Sequence, residues 1–170
     1  MARAVAHVRP DQAAGLALIC PVGAHAGPVP DHVVLASSVA LPDGLGPELE
    51  AAYRSYFVVQ TAQTLQRFRE WVAPAMSSAD EPGLSRIFSH WELRERPDSA
   101  KIYSRPVLVL AGRQDATAGH SGPGELAAQY PHATFAALDR AGHAVLHEQP
   151  ELVQALITEW LTRVGGHPAA

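Results

Sequence analysis

Two segments of this chain present groups that could share one proton-transfer site. In Pro106-Val-Leu-Val-Leu-Ala-Gly-Arg-Gln-Asp115 an apolar run leaves through Gly112 and presents a carboxylate. In Leu138-Asp-Arg-Ala-Gly-His143 a second run ends and presents an imidazole behind Gly142. An aspartate that orients a histidine, with the histidine acting as general base, supplies two of the three members of a nucleophilic triad. Asp139 competes with Asp115 for the role of acid, but it lies too close to the end of its own run to reach around the ring, so Asp115 ranks first. His143 and His147, with Glu148 beside them, have the spacing of a helical metal pair. Gly142 and Pro150 favour a loop there, and neither a metal nor another cofactor is assigned.

The other reactive residue types read more plainly. Cys20 ends an apolar run, where cysteine usually behaves as a small inert hydrophobe. Ser121, in Gly119-His-Ser-Gly-Pro123, reads as a loop or helix-capping serine. His25, in a loop rich in proline and glycine, is the residue assigned to substrate contact.

For Asp115 and His143 to meet, their runs must be neighbouring strands that end on one edge. Leu16–Cys20, Val107–Ala111 and Ala133–Leu138 do not alternate in polarity, as strands covered on both faces should not, and they read as fully buried. Between the last two, Gly122–Tyr130 has the spacing of a short crossover helix. Pro150 opens a helix to about Val164, ended by Gly165-Gly166, and 166–170 reads as a disordered tail. Ala2–Pro10 reads as a short helix and its stop. Strands separated by helices imply a parallel sheet, whose ligands bind outside the carboxyl ends of the strands.

Residues 1–20 and 106–165 therefore form the core, and 21–105 a helical insertion. Within the insertion, Pro47–Val72 reads as a long amphipathic segment ended by Pro74, and Pro82 to about Arg96 as a further helix. Tyr53, Tyr56, Phe57, Phe68, Trp71 and Trp91 read as helix-packing residues.

The succession of Pro-Val-Leu-Val-Leu-Ala-Gly-x-x-Asp115, helix, strand, Ala-Gly-His143 and Glu148-x-Pro150 resembles the closing segment of the α/β-hydrolase family. The resemblance implies a partial α/β-hydrolase fold: a three-stranded parallel sheet with flanking helices and a helical cap made by the insertion. It also implies hydrolysis of a small apolar, ester-like substrate, with Asp115 as acid and His143 as base. The family's Gly-x-Ser-x-Gly elbow is absent, and the nearest imitation has Pro123 where the second glycine belongs. By this resemblance the nucleophile falls just before Met1 and the chain alone is inactive. The Leu16–Cys20 strand would then expose an edge for a missing N-terminal half or a second copy. The alternative is a non-enzymatic interaction module that pairs through that edge.

Composition fits these expectations. The 170 residues are 47% hydrophobic, enough for one domain with an ordinary core. A net charge of −4 with 18% charged residues provides no basic face for nucleic acid and no Lys/Arg cluster for an anionic membrane, so the expected partners are small molecules or proteins. No apolar run approaches the roughly 20 residues that span a bilayer. Met1–Pro10 lacks a signal-peptide pattern, and the single cysteine suits a reducing compartment, so a cytoplasmic location is expected.

Overall fold

The computed structural model describes residues 2–22, 28–39, 45–89 and 102–166. The chain opens with α1 (Ala2–Val8) and β1 (Leu16–Ile19), followed by β2 (Ala36–Ser37), α2 (Pro47–Tyr56), β3 (Val59–Gln60) and α3 (Ala62–Arg67). A π-helical turn (Phe68–Val72) leads into α4 (Ala73–Ser77) and α5 (Glu81–Phe88). The second half holds β4 (Val107–Gly112), α6 (Ser121–Ala127), β5 (Ala133–Leu138), α7 (Val145–Glu148) and α8 (Pro150–Gly166).

β1, β4 and β5 form a parallel sheet in the order β1-β4-β5. Side chains alternate across a strand, so β4 serves two cores at once. Val107 and Val109 pack with Leu16, Leu126 and Tyr130 on the face covered by α1 and α6. Leu108 and Leu110 pack with Val145, Val153 and Trp160 on the face covered by α7 and α8. Only β4 is buried along its whole length; β1 and β5 are largely half-buried. The expectation of three fully buried strands is corrected accordingly. Unbroken apolar runs mark coverage by helices above and below, but each outer strand has a neighbour on one side only among the described residues.

The segment between β1 and β4 contains the parallel pair β2–β3 and a third core of Leu45, Tyr53, Phe57, Leu65, Phe68 and Ala73. The expected continuous segment from Pro47 to Val72 is broken at Phe57–Thr61, where the backbone becomes extended and β3 forms. Thr61 then caps α3 by accepting the Thr64 N–H, while the Thr64 side chain accepts the Thr61 N–H. Pro74 does not end the run either. It sits in the first turn of α4, and the π turn before it gives the wider winding that a residue without an N–H tolerates.

Trp71 does not pack: it is exposed on that turn. The helix placed from Pro82 to Arg96 begins at Glu81 and is described to Phe88; Trp91 and the rest of that expectation lie outside the described residues. α8 runs through Gly165 and Gly166, one turn's fraction beyond the expected stop, and most of the expected disordered tail, 167–170, lies outside the described residues.

Candidate active site

The register of β4 on β5 places Gly112 opposite Leu138, so the loops bearing Asp115 and His143 leave the same sheet edge side by side. The two loops touch closely enough to require glycine. A Cβ on Gly112 would collide with the Gly142 carbonyl oxygen, and one on Gly142 would press on Val58 Cγ1 at 3.0 Å.

Asp115 is fully buried. Its Oδ1 accepts the N–H groups of Thr117 (2.8 Å) and Ala118 (2.9 Å). Its Oδ2 lies 2.9 Å from His143 Nδ1. An ionised carboxylate only accepts hydrogen bonds, so Nδ1 carries the proton and donates it, which leaves Nε2 as the basic nitrogen of the neutral ring. Among the described residues Nε2 has no hydrogen-bond partner, and the His143 side chain is 34% exposed. The Tyr56 ring meets the imidazole edge-on at 6.0 Å.

The electrostatics follow from this geometry. Burial acts to raise the Asp115 carboxyl, but the His143 hydrogen bond and the two loop amides outweigh it and hold the group below its ordinary 3.8. The same hydrogen bond raises His143 above 6.5, against the opposing effect of its own burial. Both partners therefore shift toward the ionised pair, as the two halves of one interaction should.

Two polar side chains fix the histidine loop. Gln114 donates through Nε2 to Asp139 (2.8 Å) and accepts the Ala141 N–H (3.1 Å), which ties the acid loop to the histidine loop. Glu148 accepts the N–H groups of Val58 (2.6 Å) and Val59 (2.9 Å) on Oε1 and that of Gly142 (2.6 Å) on Oε2. Sequence reasoning missed both roles. Gln114 gave no sign beyond standing next to Asp115, and Glu148 stood out only as part of a motif and a metal pair.

No protein-family model and no curated protein matches the chain. Solved structures do. An alpha/beta superfamily hydrolase from Oenococcus oeni PSU-1 is similar at a TM-score of 0.85 and 20% identity, over 96% of this chain and 62% of that one. A proline iminopeptidase-related protein from Thermus thermophilus is similar at a TM-score of 0.55 and 23% identity, over 92% of this chain and 58% of that one. The chain carries part of the α/β-hydrolase fold. It spans about three-fifths of the length of each of these structures.

On this α/β-hydrolase sheet edge the other expected site residues fall as follows. Asp139 is exposed and its Oδ1 accepts Gln114 Nε2, whereas the carboxylate bonded to the imidazole is that of Asp115. His147 faces Phe57 at 5.9 Å, and burial together with Arg67 lowers its pKa. The expected loop around it contains one helical turn, α7, yet Glu148 is committed to three backbone amides, so the His143–His147–Glu148 set does not converge on a metal. Ser121 opens α6 as an exposed residue, with His120 at the cap position and no side-chain cap bond, which corrects the capping role. His25 lies outside the described residues.

Cys20 turns out closer to the site than its sequence position implied. It stands just beyond β1 in the left-handed region (φ 46°), with Sγ 4.0 Å from the Gly142 carbonyl. Sγ, an Asp115 oxygen and a His143 nitrogen lie within 4.8 Å of one another, a donor set of zinc type. Burial first, then the Asp115 charge, pushes the thiol up to about 12, so it is a protonated donor rather than a thiolate. A cation would also have to break the Asp115–His143 hydrogen bond. The three groups fit a hydrogen-bonded cluster better than a metal centre.

Proposed function

We propose that Asp115 and His143 are the acid and general base of an α/β-hydrolase site that cleaves a small apolar, ester-like substrate. The observation that carries this reading is the 2.9 Å Nδ1–Oδ2 hydrogen bond, which leaves Nε2 accessible and without a partner among the described residues. His143 Nε2 takes the proton of an attacking nucleophile, and Asp115 holds the ring in the correct tautomer and stabilises the imidazolium. Cys20 Sγ is buried against the Gly142 carbonyl, and no Gly-x-Ser-x-Gly elbow occurs in the sequence, so on this reading the attacking group comes from a segment that the sequence does not contain. Residues 21–105 act as the cap, from which the Tyr56 ring stands edge-on to His143.

We also place the protein in the cytoplasm, where its one cysteine stays reduced. Among the described residues no helix is long and apolar enough to cross a membrane. The outer side of β1, unpaired among the described residues, is the surface on which a further strand or a second copy would add.

Hydrolysis of short nitrophenyl esters tests the reading. Chain 1–170 and its His143→Ala variant should give the same background rate. A longer protein that adds a strand and nucleophile elbow before this region should turn over in a manner abolished by His143→Ala and by Asp115→Ala. Turnover by chain 1–170 itself that His143→Ala removes would show that the nucleophile is already present. A longer protein whose turnover ignores both substitutions would remove the pair from the chemistry.

A further inference from the structure

We infer that Glu148 is a positioning residue: its carboxylate locks the histidine loop to the insertion and so sets the His143 ring against Asp115. Its three accepted bonds join parts of the chain about 90 residues apart, Val58 and Val59 at the start of β3 and Gly142 immediately before the histidine. Glu148 is the last residue of α7, and burial raises its pKa. That cost is offset by satisfying three backbone amides that lie between two loops.

The surroundings converge on the same role. Ala144, directly after the histidine, is buried in the insertion's aromatic core beside Tyr53 and Phe57. Arg67 Nη1 donates to the His147 carbonyl at 2.7 Å, a second tie from the insertion to α7. The Gly142 side of the loop has no Cβ, so Val58 approaches until Glu148 can span both segments. Among the described residues His32, Tyr53, Tyr56 and Cys20 interact electrostatically with the carboxylate, and of these four His32 favours its charge. The carboxylate thus depends mainly on backbone dipoles, and its loss frees the loop rather than exposing a partner charge.

The inference rests on the reading of Asp115 and His143 as an acid–base pair, and its readouts do not require turnover. NMR of chain 1–170 would follow the His143 titration midpoint, the Nδ1 proton resonance and amide exchange at Val58, Val59 and Gly142. In Glu148→Gln one end of the side chain becomes a donor facing a donor. The three amides should exchange about tenfold faster or more, the Nδ1 resonance should broaden, and the His143 midpoint should move back toward 6.5. Glu148→Asp, too short to span both loops, should behave likewise, while Glu125→Gln on the exposed side of α6 should change nothing.

Unchanged His143 midpoint and Nδ1 resonance in a folded Glu148→Gln protein would overturn the inference, even if its thermal stability fell. Should both Glu148 variants unfold, the unsubstituted chain decides: the three amides must exchange through one common opening, and independent exchange overturns the clamp. Asp115→Asn separates the two readings. If it leaves the His143 midpoint in place, the acid–base pair itself fails; if it moves the midpoint and the Glu148 variants do not, only the clamp fails.

Discussion

At the residue scale, the Asp115–His143 hydrogen bond becomes an ion pair when the imidazole is protonated, so its worth depends on pH. His143 has a raised folded-state pKa, so its contribution to stability is complete below its ordinary 6.5 and is lost as pH rises through the raised value. Asp115 has a depressed one, so its contribution is complete above its ordinary 3.8 and is lost as pH falls through the depressed value. The pair therefore stabilises most between those two ordinary values. Urea unfolding of the unsubstituted chain and of His143→Gln, measured in parallel across pH, should show a difference that shrinks on the alkaline side. A difference that stays constant through the neutral and alkaline range would mean that the imidazole is not held charged by the carboxylate. Subtracting one profile from the other removes the opposite effect of His147, whose pKa is lowered.

At the scale of elements, the site depends on two loops that approach without side chains between them. Gly112 ends β4 directly beneath the Gly142 carbonyl. Gly112→Ala should destabilise the chain by about 3 kcal/mol, the upper end for overpacking, because the obstructing atom is backbone and cannot rotate away. Gly165→Ala is the matched control. Nothing lies within 4 Å of a Cβ there, and the residue is in α8, so the substitution should be neutral or stabilise by up to about 1 kcal/mol. Equal unfolding free energies for the two variants in urea would contradict the close approach. The loop positions of Asp115 and His143 were legible in the sequence because an apolar run and a glycine mark where a strand stops. The break at Phe57–Thr61 was not, because Tyr53, Phe57, Leu65 and Phe68 keep a helix-like spacing across it while converging on one core.

At the scale of the whole molecule, β1, like β5, has an outer side that is unpaired among the described residues. The N–H groups of Leu16 and Cys20 bond to β4-side carbonyls, so by the alternation of a parallel ladder those of Ala17 and Ile19 point to the open side. An apolar edge of this kind recruits another strand. Chain 1–170 should therefore self-associate with rising concentration in size-exclusion chromatography with light scattering. Ala17→Pro removes an outward N–H without touching the β4 ladder and should weaken the association. A monomer at every concentration, with and without the substitution, would show that the edge is already satisfied.

The sequence alone determined what short-range chemistry can write. Apolar runs fixed three parallel strands, helical spacing fixed α6 and α8, and Gly112 and Gly142 marked the loops that carry Asp115 and His143. The likeness to solved α/β-hydrolase structures agrees with that reading of the fold. What the tertiary structure alone decided involves groups far apart in the chain: the Nδ1–Oδ2 bond across 28 residues, the Gln114 bridge across 27 and the Glu148 clamp across 89 and 90. The exposure of Trp71 and the closeness of Cys20 to the pair belong with them. A residue's type restricts which bonds it can make; which of them it does make is set by the packing of two sheet faces and an insertion against one another, and no local pattern encodes that packing.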